Sequence, residues 1–261
     1  RAPPRTRACA GPSRAPASER NGPEDAAPSQ VWANDHTFLV PENLACYLKA
    51  RYDASTPHYV GTRMWGPCCG LFNSGAAGFA VSRASLGLLA ARWAALAADP
   101  AAVDDKCGPD RPKAHVATCL EKLDARATPP DTRDAAGAER FLVYGPVRLA
   151  TGAVDQWLLS KKANMKPPEP FAKDGSAVSS DVVSFHYVAA PEHRLLHGLL
   201  HGDAALLDAP DAAAQLARRW PDGREELGGY SGPWPRNSRP KQAAILALLR
   251  RLRVCAAPPA A

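Results

Sequence analysis

Asn34-Asp35-His36 directly follows Ser29-Gln30-Val31-Trp32-Ala33, a short run that reads as a strand. A carboxylate and an imidazole at a strand end can share one divalent cation, the first as a hard oxygen donor and the second as a borderline nitrogen. A turn role for Asp35 is the plainer reading. His186 lies in Asp181–Val188, the clearest strand pattern in the chain. Val182, Ser184, His186 and Val188 share one face, and Val183, Phe185 and Tyr187 share the other. His186 bears on a cation only if the fold carries it to Asp35; otherwise it is a half-buried strand histidine. His193, His197 and His201 recur every four residues, so they stack on one face of a helix expected over residues 190–201. Two histidines at that spacing can bind zinc. No H-E-x-x-H is formed, and an exposed stripe is the plainer reading. Ser74-Gly75-Ala76-Ala77-Gly78 lets backbone approach a ligand closely. No Lys-Ser/Thr follows, so it is not a P-loop.

The elements that must position these residues are legible in part. Pro41-Glu42 opens a helix with Leu44, Tyr47 and Leu48 on one face. A turn at Asp53–Pro57 leads to a strand over His58–Gly61. Phe72–Ser82 combines a Gly/Ala turn with an extended run, and Ser82 or Ser85 caps a helix carrying Leu86, Leu89, Trp93 and Leu96. Asp99-Pro100 stops it. A further helix is expected over Ala114–Leu123, a polar loop over Asp131–Glu139 and a short strand over Phe141–Tyr144.

Composition frames these pieces. The chain has 261 residues, of which 26 are Pro, about twice ordinary usage. The hydrophobic fraction of 46% is inflated by Ala, and aromatics make up only 7%, so the core is small for the length. Residues 1–29 lack periodicity and read as a disordered arm. Residues 204–261 return to Ala/Pro/Arg bias, with an amphipathic helix expected near 242–254. Its basic face allows a membrane-surface role, and a terminal amphipathic helix is the plainer reading. The isoelectric point near 9.0 does not signal nucleic acid, since basic residues are scattered and no aromatic–basic interleaving occurs. Residue 1 is Arg, so the chain reads as a fragment or a processed product. The seven Cys match no zinc spacing. Cys107 and Cys119 lie before and within one helix; in a secretory setting they can pair, and in cytosol they would be ordinary thiols.

In order, these segments resemble the core 1 β1,3-galactosyltransferases, fringe-related family 31 glycosyltransferases. The resemblance runs from about Val31 to His201. It rests on the Asn34-Asp35-His36 cluster, E-N-L opening a helix, H-Y-V-G, S-G-A-A-G-F-A-V-S, D-T-R-D with Glu139-Arg140-Phe141, and S-F-H-Y-V. It implies an α/β fold of the GT-A, Rossmann-like type over residues 30–203, partial because its N-terminal strands have no counterpart in residues 1–29. It implies an inverting hexosyltransferase that moves galactose from UDP-galactose to the 3-hydroxyl of protein-linked N-acetylgalactosamine on a glycoprotein acceptor. It also implies a type II membrane protein of the Golgi or endoplasmic reticulum, with its anchor upstream of Arg1, and leaves room for a homodimer.

Carried over position by position, the family's three aspartates fall on Asn34, Asp35 and His36, and its metal-binding histidine on His186. Asp35, His36 and His186 thus become the expected manganese ligands. Asn34, Asp35, Ser74, Gly75 and Ala76 become the expected nucleotide-sugar contacts. The family's catalytic Glu-Asp pair falls on Pro112-Lys113 or Ala114-His115. No carboxylate stands there, Lys113 is protonated near neutral pH, and His115 is the only group of the four suited to act as base. Trp157 is what remains of an aromatic acceptor segment. Cys107 and Cys119 match paired family cysteines. The replaced aspartates and base leave a second expectation open, a catalytically weak or inactive glycan-binding or chaperone-like protein of the same fold.

Overall fold

The computed structural model describes residues 6–7, 29–67, 70–99, 114–150, 154–171, 178–202, 204–212, 214–215 and 242–255. Described strands are short. β1 (Thr6–Arg7), β2 (Gln30–Trp32) and β3 (Thr37–Leu39) precede α1 (Pro41–Arg51). Four strands follow: β4 (Tyr59–Gly61), β5 (Arg63–Gly66), β6 (Gly70–Asn73) and β7 (Phe79–Val81). Next come α2 (Arg83–Ala98), α3 (Ala114–Leu123) and β8 (Phe141–Leu142). α4 (Pro146–Ala150), α5 (Gln156–Ala163), β9 (Ser184–His186), α6 (Ala190–His201) and α7 (Ala204–Asp208) lead to α8 (Gln242–Arg251) and β10 (Val254–Cys255). The architecture is mixed α/β, built on small sheets.

Two three-stranded sheets organise the described residues. One has the order β2-β7-β4, both pairs antiparallel. The other has the order β3-β9-β8, antiparallel then parallel. β5 and β6 form a separate hairpin. Local chemistry explains several boundaries. Pro41 stands in the first turn of α1, where a missing N–H costs nothing. Ser82 caps α2, its hydroxyl accepting from the Ser85 backbone N–H at 3.2 Å. Asp99 ends that helix.

The apolar faces close on two clusters. The larger joins Phe38, Leu44, Tyr47 and Val60 to Phe141, Phe185 and Leu196. The smaller packs Tyr59, Phe79 and Leu89 against Ala117 and Leu120. The helix expected near 242–254 is α8, and it is no peripheral tail. Ile245, Leu246, Leu248 and Leu249 are buried in the larger cluster, so the face that a membrane surface would need is covered. Its C-terminal end is tied into place. Asn43 donates from Nδ2 to the Val182 and Arg253 carbonyls, both at 2.7 Å, and its Oδ1 accepts from Cys255 N at 2.7 Å. A Cys46–Cys255 disulfide spans 209 residues of sequence. Of the expected arm, Thr6–Arg7 pairs in parallel with Val254–Cys255; residues 1–5 and 8–28 lie outside the described residues. Cys119 is also disulfide-bonded, and Cys107 lies outside the described residues.

The polar loop over Asp131–Glu139 conceals the densest charge network. Lys162 of α5, 2% exposed, donates to Glu139 Oε1 at 2.8 Å and Glu169 Oε2 at 3.0 Å. Glu169 Oε1 also meets Arg63 at 2.6 Å and Arg133 at 3.3 Å, and Arg133 pairs with Asp131 at 2.5 Å. Three cations and three carboxylates thus balance. Burial lifts the Glu139 carboxyl above the usual range, with Lys162 opposing it. Chiefly the Arg133 hydrogen bond pulls Asp131 down to about 2.

Two stability outcomes follow from this packing. Lys162→Ala leaves two buried carboxylates facing each other and lowers unfolding free energy by about 3–5 kcal/mol in denaturant titration. Replacing Lys162 and Glu139 together by Met and Leu costs less than the single change, because Glu169 keeps its partners Arg63 and Arg133. Cys46→Ala with Cys255→Ala lowers stability by up to about 5 kcal/mol, the loop-entropy figure for so long a loop. Thermal unfolding of the double variant beside wild type measures it, and reduction of wild type shifts its midpoint the same way.

Candidate functional site

The site forms where β3 and β9 pair. Their register sets Thr37 opposite His186, Phe38 opposite Phe185 and Leu39 opposite Ser184. Asp35 and His36 occupy the turn into β3, closed by Thr37 N donating to the Asn34 carbonyl at 3.0 Å. Val188 N donates to the His36 carbonyl at 3.0 Å, locking the turn onto the far end of β9. The fold therefore brings together Asp35, His36 and His186, which sequence spacing alone leaves far apart.

Their surroundings differ. Asp35 is 88% exposed, and its Oδ1 lies 2.6 Å from His36 Nδ1. His186 is buried, its Nδ1 3.4 Å from the Val143 carbonyl. The His36 and His186 rings lie 5.4 Å apart between centroids. Among the described residues, no three His, Cys, Asp or Glu side chains already converge on a metal-sized point. The reason is visible at Asp35, whose carboxylate turns onto its own neighbour rather than toward His186.

Tyr187 adds what sequence reasoning missed. Its φ is +57°, a left-handed conformation that costs a non-glycine residue about 1–3 kcal/mol and persists only where the surroundings impose it. Its ring lies 3.9 Å from that of His186, parallel to that of His36 at 6.4 Å, and 6.5 Å from that of Tyr144. The Arg148 guanidinium sits over Tyr144 at 4.3 Å. Tyr144 donates to Asp155 Oδ2 at 3.1 Å, and burial pushes its hydroxyl up to about 12. Tyr144 therefore stays protonated at neutral pH.

The expected nucleotide-sugar turn joins the same sheet end. Thr37 donates from Oγ1 to the Ala76 carbonyl at 2.9 Å, and Ser184 from Oγ to the Ala77 carbonyl at 2.5 Å. Ser74 is buried, its Oγ accepting from Ala77 N at 3.5 Å, and Gly78 takes a φ of +78° that suits glycine. The turn is thus held beside Thr37 through Ala76 and beside Trp32 and Ala33 at Gly78. Ser184 shares the His186 face of the alternating strand, a signal that was readable. Nothing in the spacing announced Thr37 or Tyr144.

The remaining expected residues lie elsewhere. Trp157 is on α5 and 54% exposed. His115 is on α3, which packs against α2 and β6; its side chain lies outside the described residues. No known family model matches the chain, and no curated protein shows significant similarity to it. Among the described residues no helix is long and apolar enough to cross a membrane.

Gly145 fixes the site from below. A Cβ there would meet the Tyr187 carbonyl oxygen at 2.9 Å and that of His186 at 3.3 Å, both backbone atoms. Gly145→Ala should lower stability by about 1–3 kcal/mol through forced backbone movement. Gly87→Ala, inside α2 with nothing within 4 Å, should instead raise it by about 0.5–1 kcal/mol. Thermal melts of the two variants, read with opposite signs, check both.

Proposed function

We propose that this chain is a GT-A-type hexosyltransferase that moves galactose from UDP-galactose to the 3-hydroxyl of protein-linked N-acetylgalactosamine. The observation that supports this most is the β3–β9 register, which sets Asp35-His36 beside His186 at one sheet end. The Asp35 carboxylate is a donor of the kind manganese favours, and the two imidazoles can complete its set although imidazole favours zinc. The Val143 carbonyl beside His186 Nδ1 is the kind of partner that orients a ligating imidazole. Asp35, His36 and His186 would hold the ion, which when bound would neutralise the diphosphate so that UDP can leave.

The chain's own residues have distinct tasks. Asp35, exposed, turns from His36 toward the shared position at little steric cost. His186, buried against Tyr187, stays fixed. The Ser74–Ala76 turn, tied by Thr37, offers close backbone to the donor. The acceptor hydroxyl must lose a proton, and His115 is the group at the family position for that step. Trp157, exposed on α5, offers the acceptor sugar a ring face.

The mixed α/β architecture is compatible with a partial GT-A fold lacking its N-terminal strands. The Cys46–Cys255 bond favours an oxidising compartment, in keeping with a lumenal site in the endoplasmic reticulum or Golgi. A second reading also has a specific observation behind it. Asn34 and His36 replace family carboxylates, and neither Lys113 nor His115 restores an acidic base. These changes favour a glycan-binding or chaperone-like protein without turnover.

Transfer from UDP-galactose to a peptide carrying N-acetylgalactosamine, assayed with manganese, separates the two. The transferase reading expects turnover that falls about 100-fold or more in His186→Ala and on chelation, because the charge that releases UDP is lost. Binding of the glycopeptide with no turnover would instead establish the second reading.

A further inference from the structure

Strand β3 and helix α6 enclose a cavity of about 450 Å³, lined by Phe38, Leu39, His193, Arg194 and His197. That volume lies within the range of small-molecule sites. Phe38 is a buried core residue and Leu39 is half-buried, so the β3 side of the cavity is apolar. His193 packs edge-on against Phe38, with ring centroids 5.5 Å apart, and extends that aromatic surface onto α6.

The charge of this lining is one-sided. No acidic side chain lines the cavity. Arg194 is exposed and, among the described residues, meets no carboxylate. The carboxylates of the surrounding helices are committed elsewhere. Glu192 accepts from Ala189 N at 2.9 Å at the start of α6, and Glu42 on α1 faces His201 at 3.9 Å. Burial holds the His193 ring below its ordinary value, so it is neutral at physiological pH. His197 is exposed and packs on His201, with ring centroids 4.6 Å apart. The lining therefore sets one permanent positive charge beside apolar surface. A guanidinium engages a carboxylate through two parallel N–H donors, and an apolar body gains by leaving water. One cation balances a monoanion, whereas a phosphate dianion would keep an excess negative charge.

We propose that the cavity between β3 and α6 binds a small organic monocarboxylate with an apolar body, its carboxylate on Arg194 and its body against Phe38 and Leu39. The site is separate from Asp35, His36 and His186, and the proposal does not depend on the transferase reading. Recognition needs both features of the ligand, since the guanidinium alone attracts any anion and the apolar side alone attracts any oily molecule.

The test is titration of the full chain with phenylpropionate, followed by the amide shifts of the isotope-labelled protein. Two further probes each lack one feature: phenylpropionamide is neutral, and acetate has no apolar body. The expected result is saturable binding of phenylpropionate, with shifts centred on Leu39, His193, Arg194 and His197. Either of the other probes should bind about fivefold more weakly or worse, the worth of an ion pair at a rim. Arg194→Gln should remove the preference for the acid over the amide. Arg194 is exposed, so the change leaves the fold intact, and far-ultraviolet circular dichroism confirms it. Arg83→Gln, exposed on α2, should bind as wild type does. No saturable binding, equal affinity for acid and amide, shifts centred elsewhere, or a preference that survives Arg194→Gln would each overturn the proposal.

Discussion

The register of Ser184–His186 between two neighbouring strands is the constraint on which the rest of this structure depends. Side chains alternate across a strand, so a slip of one residue would exchange its faces. His186 would then leave Thr37 and the Asp35-His36 turn, and Phe185 would leave the larger core. The flanking residues fix the register from several directions. Val40 N donates to the Val183 carbonyl at 2.8 Å, Val183 N to the Arg140 carbonyl at 2.7 Å, and Arg253 N to the Ser180 carbonyl at 2.8 Å. Asn43 holds Val182 and the C-terminal strand together. Helix α1, the loop before β8 and the segment leading into β10 therefore all refer to one nine-residue stretch, 180–188.

The charge network plays a complementary part. Glu139 lies two residues before β8 and forms a bridge with Val178, just upstream of the same stretch. Lys162 and Glu169 attach α5 and the segment after it to that bridge. Buried ion pairs seldom add net stability, because desolvation offsets the attraction. Their geometric demand is nonetheless strict, since any displacement strands a charge. The network is thus better understood as fixing where α5 sits than as a source of stability, and Trp157 takes its exposed position from that helix.

What the sequence made legible divides along physical lines. Helices α1, α2, α3, α6 and α8 were readable because their apolar spacing and their stops, Pro41 and Asp99 among them, are local. β3 was not, since three residues between a polar turn and Pro41 are too few to show alternation. The alternation in 181–188 implied one face more buried than the other. Both faces of β9 are buried, because it is the central strand of its sheet. α5 escaped because Gln156–Ala163 is short and its one buried cation, Lys162, resembles a surface residue. The Cys46–Cys255 bond joins positions that no local pattern relates. At the site, Asp35, His36 and His186 were named from residue type and family resemblance, but only the strand pairing gave them a common location.

Tyr187 explains why imidazoles collect at this end of the molecule. β9 ends at His186, and a residue with φ of +57° immediately afterwards turns the chain out of the sheet plane. Ala189 and Glu192 then start α6, the Glu192 carboxylate accepting from Ala189 N at 2.9 Å. The helix is thereby laid back along β3, so that His193 meets Phe38 while His36 remains at the strand's start. The His36 charge is close enough to oppose protonation of His193. A histidine before the turn and one after it thus face the same short strand from two sides. The backbone strain at Tyr187 is held by the rings of His186, His36 and Tyr144, and by a glycine at 145 that alone leaves room for the turn. The sheet end that holds Asp35, His36 and His186 is a consequence of that one reversal and could not survive its relaxation unchanged.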